Sequence, residues 1–149
     1  MVNKLILILL FATPVYAQQT NAQKTWDIAS YATVGTQIGL DTIHNIRDDN
    51  RKILLIREGV NIGVTIGLSE LIKHFVHEDR PDHSDMKSFW SEHTALAATT
   101  GGWNVSVGWS LTIGTGVGRV EANRHHPWDV LVGALVGTSV DYTTRHYIK

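Results

Sequence analysis

The 149-residue chain contains no cysteine. Disulfides, cysteine-ligated zinc and a thiol nucleophile are therefore excluded. It also lacks an excess of either charge: 13 basic residues face 14 acidic ones, for a formal net charge of -1. With no basic tract either, the balance argues against binding to nucleic acid through a basic surface, and no nucleic-acid partner is expected. There is no convincing strand, hairpin signal, longer repeat or low-complexity tract. Nor is there a long unbroken run of leucine, isoleucine and valine in the body of the chain.

What is present suits one domain, with an ordinary apolar fraction of 43%. Met1 to Lys4 gives a short positive start, Leu5 to Ala12 an apolar run, and Val15-Tyr16-Ala17 a small-x-small site. Together these read as a secretory signal cleaved after residue 17, leaving 18–149 as a single helical domain in a periplasm. The apolar run falls well short of the roughly 20 residues a spanning helix needs.

Helical periodicity dominates the remainder. Ile28, Tyr31, Val34 and Ile38 form an apolar stripe within a helix from Gln23 to about Ile46. A charged turn, Arg47 to Arg51, separates it from a second helix over about Lys52 to His77. Gly59, Gly63 and Gly67 repeat every fourth residue there, as Gly133 and Gly137 do later. Glycine costs about 1 kcal/mol in a helix interior, so these repeats predict close approach of a neighbouring helix. Asp79 to Lys87 reads as a loop. The uncharged stretch Thr94 to Gly118 predicts two buried helices broken near Gly101-Gly102 or Asn104. A last helix, from Pro127 to about Arg145, offers Val130, Leu131, Ala134, Leu135, Thr138 and Tyr142 as an inward face. The expected architecture is an all-α bundle of five or six helices.

Three polar clusters interrupt this pattern. Lys73 to Pro81, KHFVHEDRP, closes the second helix with Lys73 and Arg80 seven residues apart. Ser88 to Ala95, SFWSEHTA, offers Ser91 as a helix N-cap with Glu92 and His93 in the first turn, near backbone amides that attract anions. Gly118 to Asp129, GRVEANRHHPWD, gathers Arg119, His125 and Asp129, with Pro127 suited to open a helix. An aspartate in that first turn can reach back towards His125 and orient its ring. Arg119 brings a planar fork suited to oxyanions.

These clusters resemble the type 2 phosphatidic acid phosphatase superfamily, which includes acid phosphatases and vanadium haloperoxidases. Its signature is K-x6-R-P, then P-S-G-H, then S-R-x5-H-x3-D. Lys73, Arg80 and Pro81 match the first part; Ser91 and His93 match the second; Arg119, His125 and Asp129 match the third. Trp90 stands where proline is expected, Glu92 where glycine is expected, and Gly118 where serine is expected.

The resemblance implies a bundle of that superfamily's kind and metal-independent hydrolysis of phosphate monoesters or pyrophosphates through a phosphohistidine, with no cofactor. His125 would attack phosphorus, Asp129 would hold its tautomer, and His93 would protonate the leaving oxygen. Lys73, Arg80, Ser91 and Arg119 would bind the phosphoryl group. Three cations can carry the spreading negative charge without a divalent metal. The expected partner is a phosphate-bearing substrate, a lipid or a soluble ester, met by a soluble or peripherally membrane-attached enzyme.

Glu92 is expected to face solvent, or to pair with Lys87 or Arg124, and so to leave activity in place though weaker. The tryptophans beside the motifs, Trp90, Trp103, Trp109 and Trp128, are expected to fill the core rather than to form an apolar rim. Two other readings stand beside the phosphatase. One is an impaired member of the fold that binds phosphate or phospholipid without turnover. The other is a metal-binding module built on His74, His77, His83, His125 and His126.

Overall fold

The computed structural model describes residues 19–100 and 104–149. The expected export signal, residues 1–17, and Trp103 lie outside the described residues.

Among the described residues five helices follow one another: α1 (Asn21–Arg47), α2 (Arg51–Phe75), α3 (Glu92–Thr99), α4 (Val105–Glu121) and α5 (Pro127–Tyr147). Local chemistry sets their ends. Thr20 and Gln23 form a reciprocal capping box at the start of α1, satisfying two amides that the helix itself cannot. Ser91 and Asn104 cap α3 and α4, and Pro127 opens α5. The expected break in the uncharged stretch thus falls between Thr99 and Val105. The segment 76–90 is loop, with one isolated parallel bridge between Glu78 and Lys87.

The short helix α3 sits at the centre. It packs against all four other helices, which contact one another in the ring order α1, α4, α5, α2. Gly133 and Gly137 make the α3–α5 contact possible. A Cβ at Gly133 would lie 2.4 Å from the Ser91 carbonyl oxygen, and one at Gly137 2.1 Å from that of Ala95. Only hydrogen fits there. The repeat on α2 behaves differently: a Cβ at Gly59, Gly63 or Gly67 would meet nothing within 4 Å. The close helix contact expected of these three is absent among the described residues.

The largest departure from the sequence reading is which way the helices face. The stripe on α1 does not turn inward as a whole. Val34 is buried, but Ile28 is 69% exposed and Tyr31 55%, while Ser30, Gln37, Asp41 and Asn45 are buried. On α5 the inward residues are Asp129, Gly133, Gly137, Val140 and Thr144, and Leu131, Leu135 and Tyr142 point out. Hydrophobic periodicity finds the apolar side of a helix, and assigning that side to the core presumes water outside. Polar ties hold the interior instead. Asn61 Nδ2 donates to the Thr99 carbonyl at 3.1 Å, Thr144 Oγ1 to Asn61 Oδ1 at 2.5 Å, and the Thr33 and Thr115 hydroxyls meet at 2.8 Å. Trp90 is buried as expected, but Trp109 and Trp128 are not core residues: they are 45% and 52% exposed.

Candidate active site

The three polar clusters come together at one end of the bundle, where α1, α3 and α5 begin and α2 and α4 finish. His125 is delivered there by the way α4 stops. Asn123 adopts a left-handed φ of 55°, a conformation asparagine tolerates better than most residues. The amides of Arg124 and His125 then both donate to the Arg119 carbonyl, at 3.0 and 3.3 Å. The loop is stitched on by the Asp82 amide, which donates to the Asn123 carbonyl at 3.2 Å.

His125 is 2% exposed. Its Nδ1 lies 2.7 Å from the backbone carbonyl of Ser88 and 3.8 Å from Asp129 Oδ2. A carbonyl only accepts, so Nδ1 carries the proton and the lone pair is on Nε2. Asp129 Oδ2, beside that nitrogen, also accepts from the Ser88 hydroxyl at 2.5 Å and from the His126 amide at 2.9 Å, tying down the residue whose carbonyl receives the His125 proton. Burial pulls the His125 pKa below its ordinary value; the positive charges of Arg119 and Arg80 pull the same way, and Asp129 opposes them. Burial and the two arginines thus favour the neutral ring.

His93 lies in the first turn of α3 with its ring edge-on to Tyr31, centroids 4.3 Å apart. Burial, followed by the positive charge of Arg119, depresses its pKa to about 4. Glu92 alongside it works in the opposite direction, and His125 and Lys73 lower it further. Tyr31 also carries the Arg119 guanidinium over its ring face, 5.4 Å from the centroid.

Each of the three expected phosphate-binding cations already has a carboxylate. Arg119, almost wholly buried, pairs with Asp27 through Nη1. Arg80 Nε lies 2.6 Å from Asp85, and its Nη1 donates to the Arg124 carbonyl at 3.2 Å. Lys73 Nζ lies 3.2 Å from Glu92 Oε2. Glu92 therefore does not face solvent, nor pair with Lys87 or Arg124. The first turn of α3 packs beside the last turn of α2, and the lysine there is the nearest counter-charge. Burial pushes the Glu92 carboxyl up, while Lys73, with weaker help from its surroundings, draws it below its ordinary value.

Ser91 is fully buried, its oxygen accepting from the Thr94 hydroxyl at 3.0 Å and its amide donating to the Asp129 carbonyl at 3.1 Å. It joins the starts of α3 and α5. The Phe89–Trp90 peptide bond preceding it is cis. A cleft of about 450 Å³ opens beside Lys73, lined by Glu70, His74, His77, Asp85, Met86 and Lys87. Among the described residues no three histidine, aspartate or glutamate side chains converge as a metal site. His83 pairs with Asp79, and His126 stacks on Trp128 at 4.3 Å.

Asp27, Tyr31 and the carbonyl of Ser88 were not singled out from sequence. Asp27 and Tyr31 lie more than 40 residues before the first motif, in a helix whose pattern carries no chemistry of its own. Ser88 opens the second cluster, but its contribution is a backbone carbonyl, which no residue type announces.

No protein-family model and no curated protein sequence matches the chain. Among solved structures, the crystal structure of LpxE from Aquifex aeolicus superposes with a TM-score of 0.66, covering 88% of this chain and 89% of that one at 21% identity. At that identity the likeness is one of fold: the described residues form an all-helical bundle of the kind seen in that structure.

Proposed function

We propose that the chain is an exported, metal-independent phosphatase that cleaves phosphate monoesters or pyrophosphates, with a lipid as the favoured carrier. The observation that supports this most is the setting of His125: buried, with Nδ1 committed to the Ser88 carbonyl, so that the lone pair of the neutral ring is on Nε2, and with its pKa lowered by burial and by Arg119 and Arg80. Two cations, Arg119 and Arg80, act on that ring, which suits an anionic substrate arriving at Nε2.

In this reading Nε2 of His125 attacks phosphorus in line with the leaving oxygen. The P–N bond forms, the P–O bond breaks, and His93 gives its proton to the departing oxygen. Lys73, Arg80 and Arg119 hold the phosphoryl oxygens as charge spreads over them. Water then attacks the phosphohistidine, His93 takes back a proton, and the P–N bond breaks to release phosphate. His93 is neutral in the empty site, and an arriving phosphate raises its affinity for a proton, so that acid and substrate arrive together. Ser88 and Asp129 position His125, and Ser91 positions His93. Residues 1–17 fit an export signal, which supports a periplasmic enzyme.

The Lys73–Glu92 pair favours a second reading, in which the site binds phosphate or phospholipid but turns over poorly. One experiment separates the two. The full chain in detergent is assayed against lipid and soluble phosphoesters beside His125→Ala, with acid quench during turnover. Phosphate release and an acid-labile phosphate on His125 are expected. Binding without release in every substrate class would establish the second reading, and neither binding nor release would overturn both.

A further inference from the structure

Arg124 fills an unspecified position of the resembled signature, immediately before His125, and the reaction described above gives it no part. Yet its guanidinium makes more hydrogen bonds than that of Arg80 or Arg119. Nε and Nη2 each donate to Asp27 Oδ2 at 3.3 Å, and Nη1 donates to Asp82 Oδ2 at 3.1 Å and to the Ser84 hydroxyl at 3.3 Å. A fork committed in this way to two carboxylates is not free to take a phosphoryl oxygen.

What Arg124 touches are the supports of the other two arginines. Asp27, on α1, gives its second oxygen, Oδ1, to Arg119 Nη1 at the end of α4. Asp82 and Ser84 belong to the loop that carries Arg80, and Arg80 Nη1 donates to the Arg124 carbonyl at 3.2 Å. The Arg124 amide in turn donates to the Arg119 carbonyl at 3.0 Å. One residue thus ties α1, the end of α4 and the loop together. Asp82 and Arg119 are buried, so the network is shielded from the solvent that weakens a surface pair.

Such a tie is needed because like charges are gathered here. Burial lowers the Arg119 pKa, Asp27 and then Tyr31 oppose the shift, and the charges of Arg80 and Arg124 lower it further. Cations that repel one another splay apart in an empty site, and each phosphate would then have to reassemble them. Fixed beforehand, they meet the developing charge without reorganisation. Asp27 is suited to fixing and not to blocking. It holds Arg119 by Nη1, while Nε, on another edge of the guanidinium, is buried with no partner among the described residues.

We propose that Arg124 is a positioning residue for phosphate: through Asp27 on one side and Asp82 on the other, it holds Arg119 and Arg80 at a fixed spacing before the anion arrives. The network stands on geometry alone, and its use rests on the phosphatase reading. Glu92 and Asp27 therefore differ, although each pairs with a cation of the site. Glu92 competes with phosphate at Lys73, whereas Asp27 belongs to the frame that holds Arg119.

The full chain and its variants are titrated calorimetrically with inorganic phosphate and assayed for turnover of p-nitrophenyl phosphate, with folding followed by circular dichroism. Arg124→Gln should weaken phosphate binding about 10-fold and lower kcat/KM about 100-fold, since the cations contribute more as charge spreads in the transition state. Arg124→Lys keeps the charge but cannot span Asp27 and Asp82 at once, and should stay within about threefold of Arg124→Gln. Recovery to the parent's values would reduce the role to charge and overturn the proposal. Asp27→Asn should lower kcat/KM and add little to Arg124→Gln in the double variant. A rise in kcat/KM, or losses that multiply, would overturn the proposal as well. The Arg124 side chain is only partly buried, so the Arg124→Lys comparison stands even where Asp27→Asn fails to fold. A parent that binds phosphate without turnover would count against the phosphatase alone, and the binding measurements would still decide the role of Arg124. A parent that neither binds nor turns over would overturn both.

Discussion

Glu92 Oε2 sits 3.2 Å from Lys73 Nζ, so the residue that replaces a glycine of the resembled signature occupies one of the cations that signature supplies. A phosphate approaching Lys73 must compete with a carboxylate already there, and a partly buried pair of opposite charges attracts at about 4 kcal/mol for 4 Å at an effective dielectric of 20. Removing the carboxylate should raise kcat/KM. For Glu92→Gln an increase of about 10- to 100-fold is expected, and for Glu92→Gly at least as much, measured by phosphate release under kcat/KM conditions. An unchanged or lower value in both variants would mean that Glu92 does not compete with substrate.

The route by which His125 is oriented gives a graded series. His125→Ala should lower kcat by about 1,000-fold or more, since the nucleophile is lost. Ser88→Ala keeps the carbonyl that accepts the His125 proton but removes the hydroxyl that joins it to Asp129, and should cost about 10-fold in kcat with KM little changed. Asp129→Asn should cost more than Ser88→Ala, because it also disturbs the His126 amide at the start of α5. Equal losses in Ser88→Ala and Asp129→Asn would place the whole effect of Asp129 in its bond to Ser88.

Both site histidines bind their proton less readily in the folded chain than in the unfolded one, His93 with a value of about 4 against 6.5. Between those values the unfolded chain takes up more protons. Stability should therefore decline as pH falls from about 6.5 to about 4 and level off below, by on the order of 3 kcal/mol for His93 alone. Chemical denaturation in detergent at pH 7 and pH 4.5 should show that decline, and His93→Gln should flatten it.

Activity should have its own pH signature. The free enzyme needs His125 neutral and His93 charged, and both have lowered pKa values. The kcat/KM profile should peak on the acidic side of 6.5, and the descending limb of kcat should lie at higher pH because bound phosphate raises the pKa of His93. Coincident limbs for kcat and kcat/KM would argue against His93 as the acid.

The two glycine repeats should respond in opposite ways. Gly137→Ala puts a methyl group 2.1 Å from the Ala95 carbonyl oxygen, so α3 must move; a loss of about 1–3 kcal/mol is expected. Gly63→Ala meets no atom within 4 Å and should gain up to about 1 kcal/mol from helix propensity. Denaturation midpoints in detergent would measure both. Destabilisation by Gly63→Ala would point to a contact that α2 makes outside this chain.

The sequence by itself determined the elements and their caps, because Thr20, Ser91, Asn104 and Pro127 act on backbone groups a few residues away. It also brought out His93, His125 and the three cations, through spacing within motifs. Tertiary structure decided what those residues meet. Lys73 and Glu92 are 19 residues apart, and Arg119 and Asp27 are 92 apart; no local rule links either pair. It decided as well which side of each helix is the inside. Periodicity reports only that a helix has an apolar side and a polar one. Which of them is buried depends on whether neighbouring helices offer hydrogen-bond partners, and here Gln37, Asn61, Thr33 and Thr144 find them across helices while isoleucine and leucine turn away.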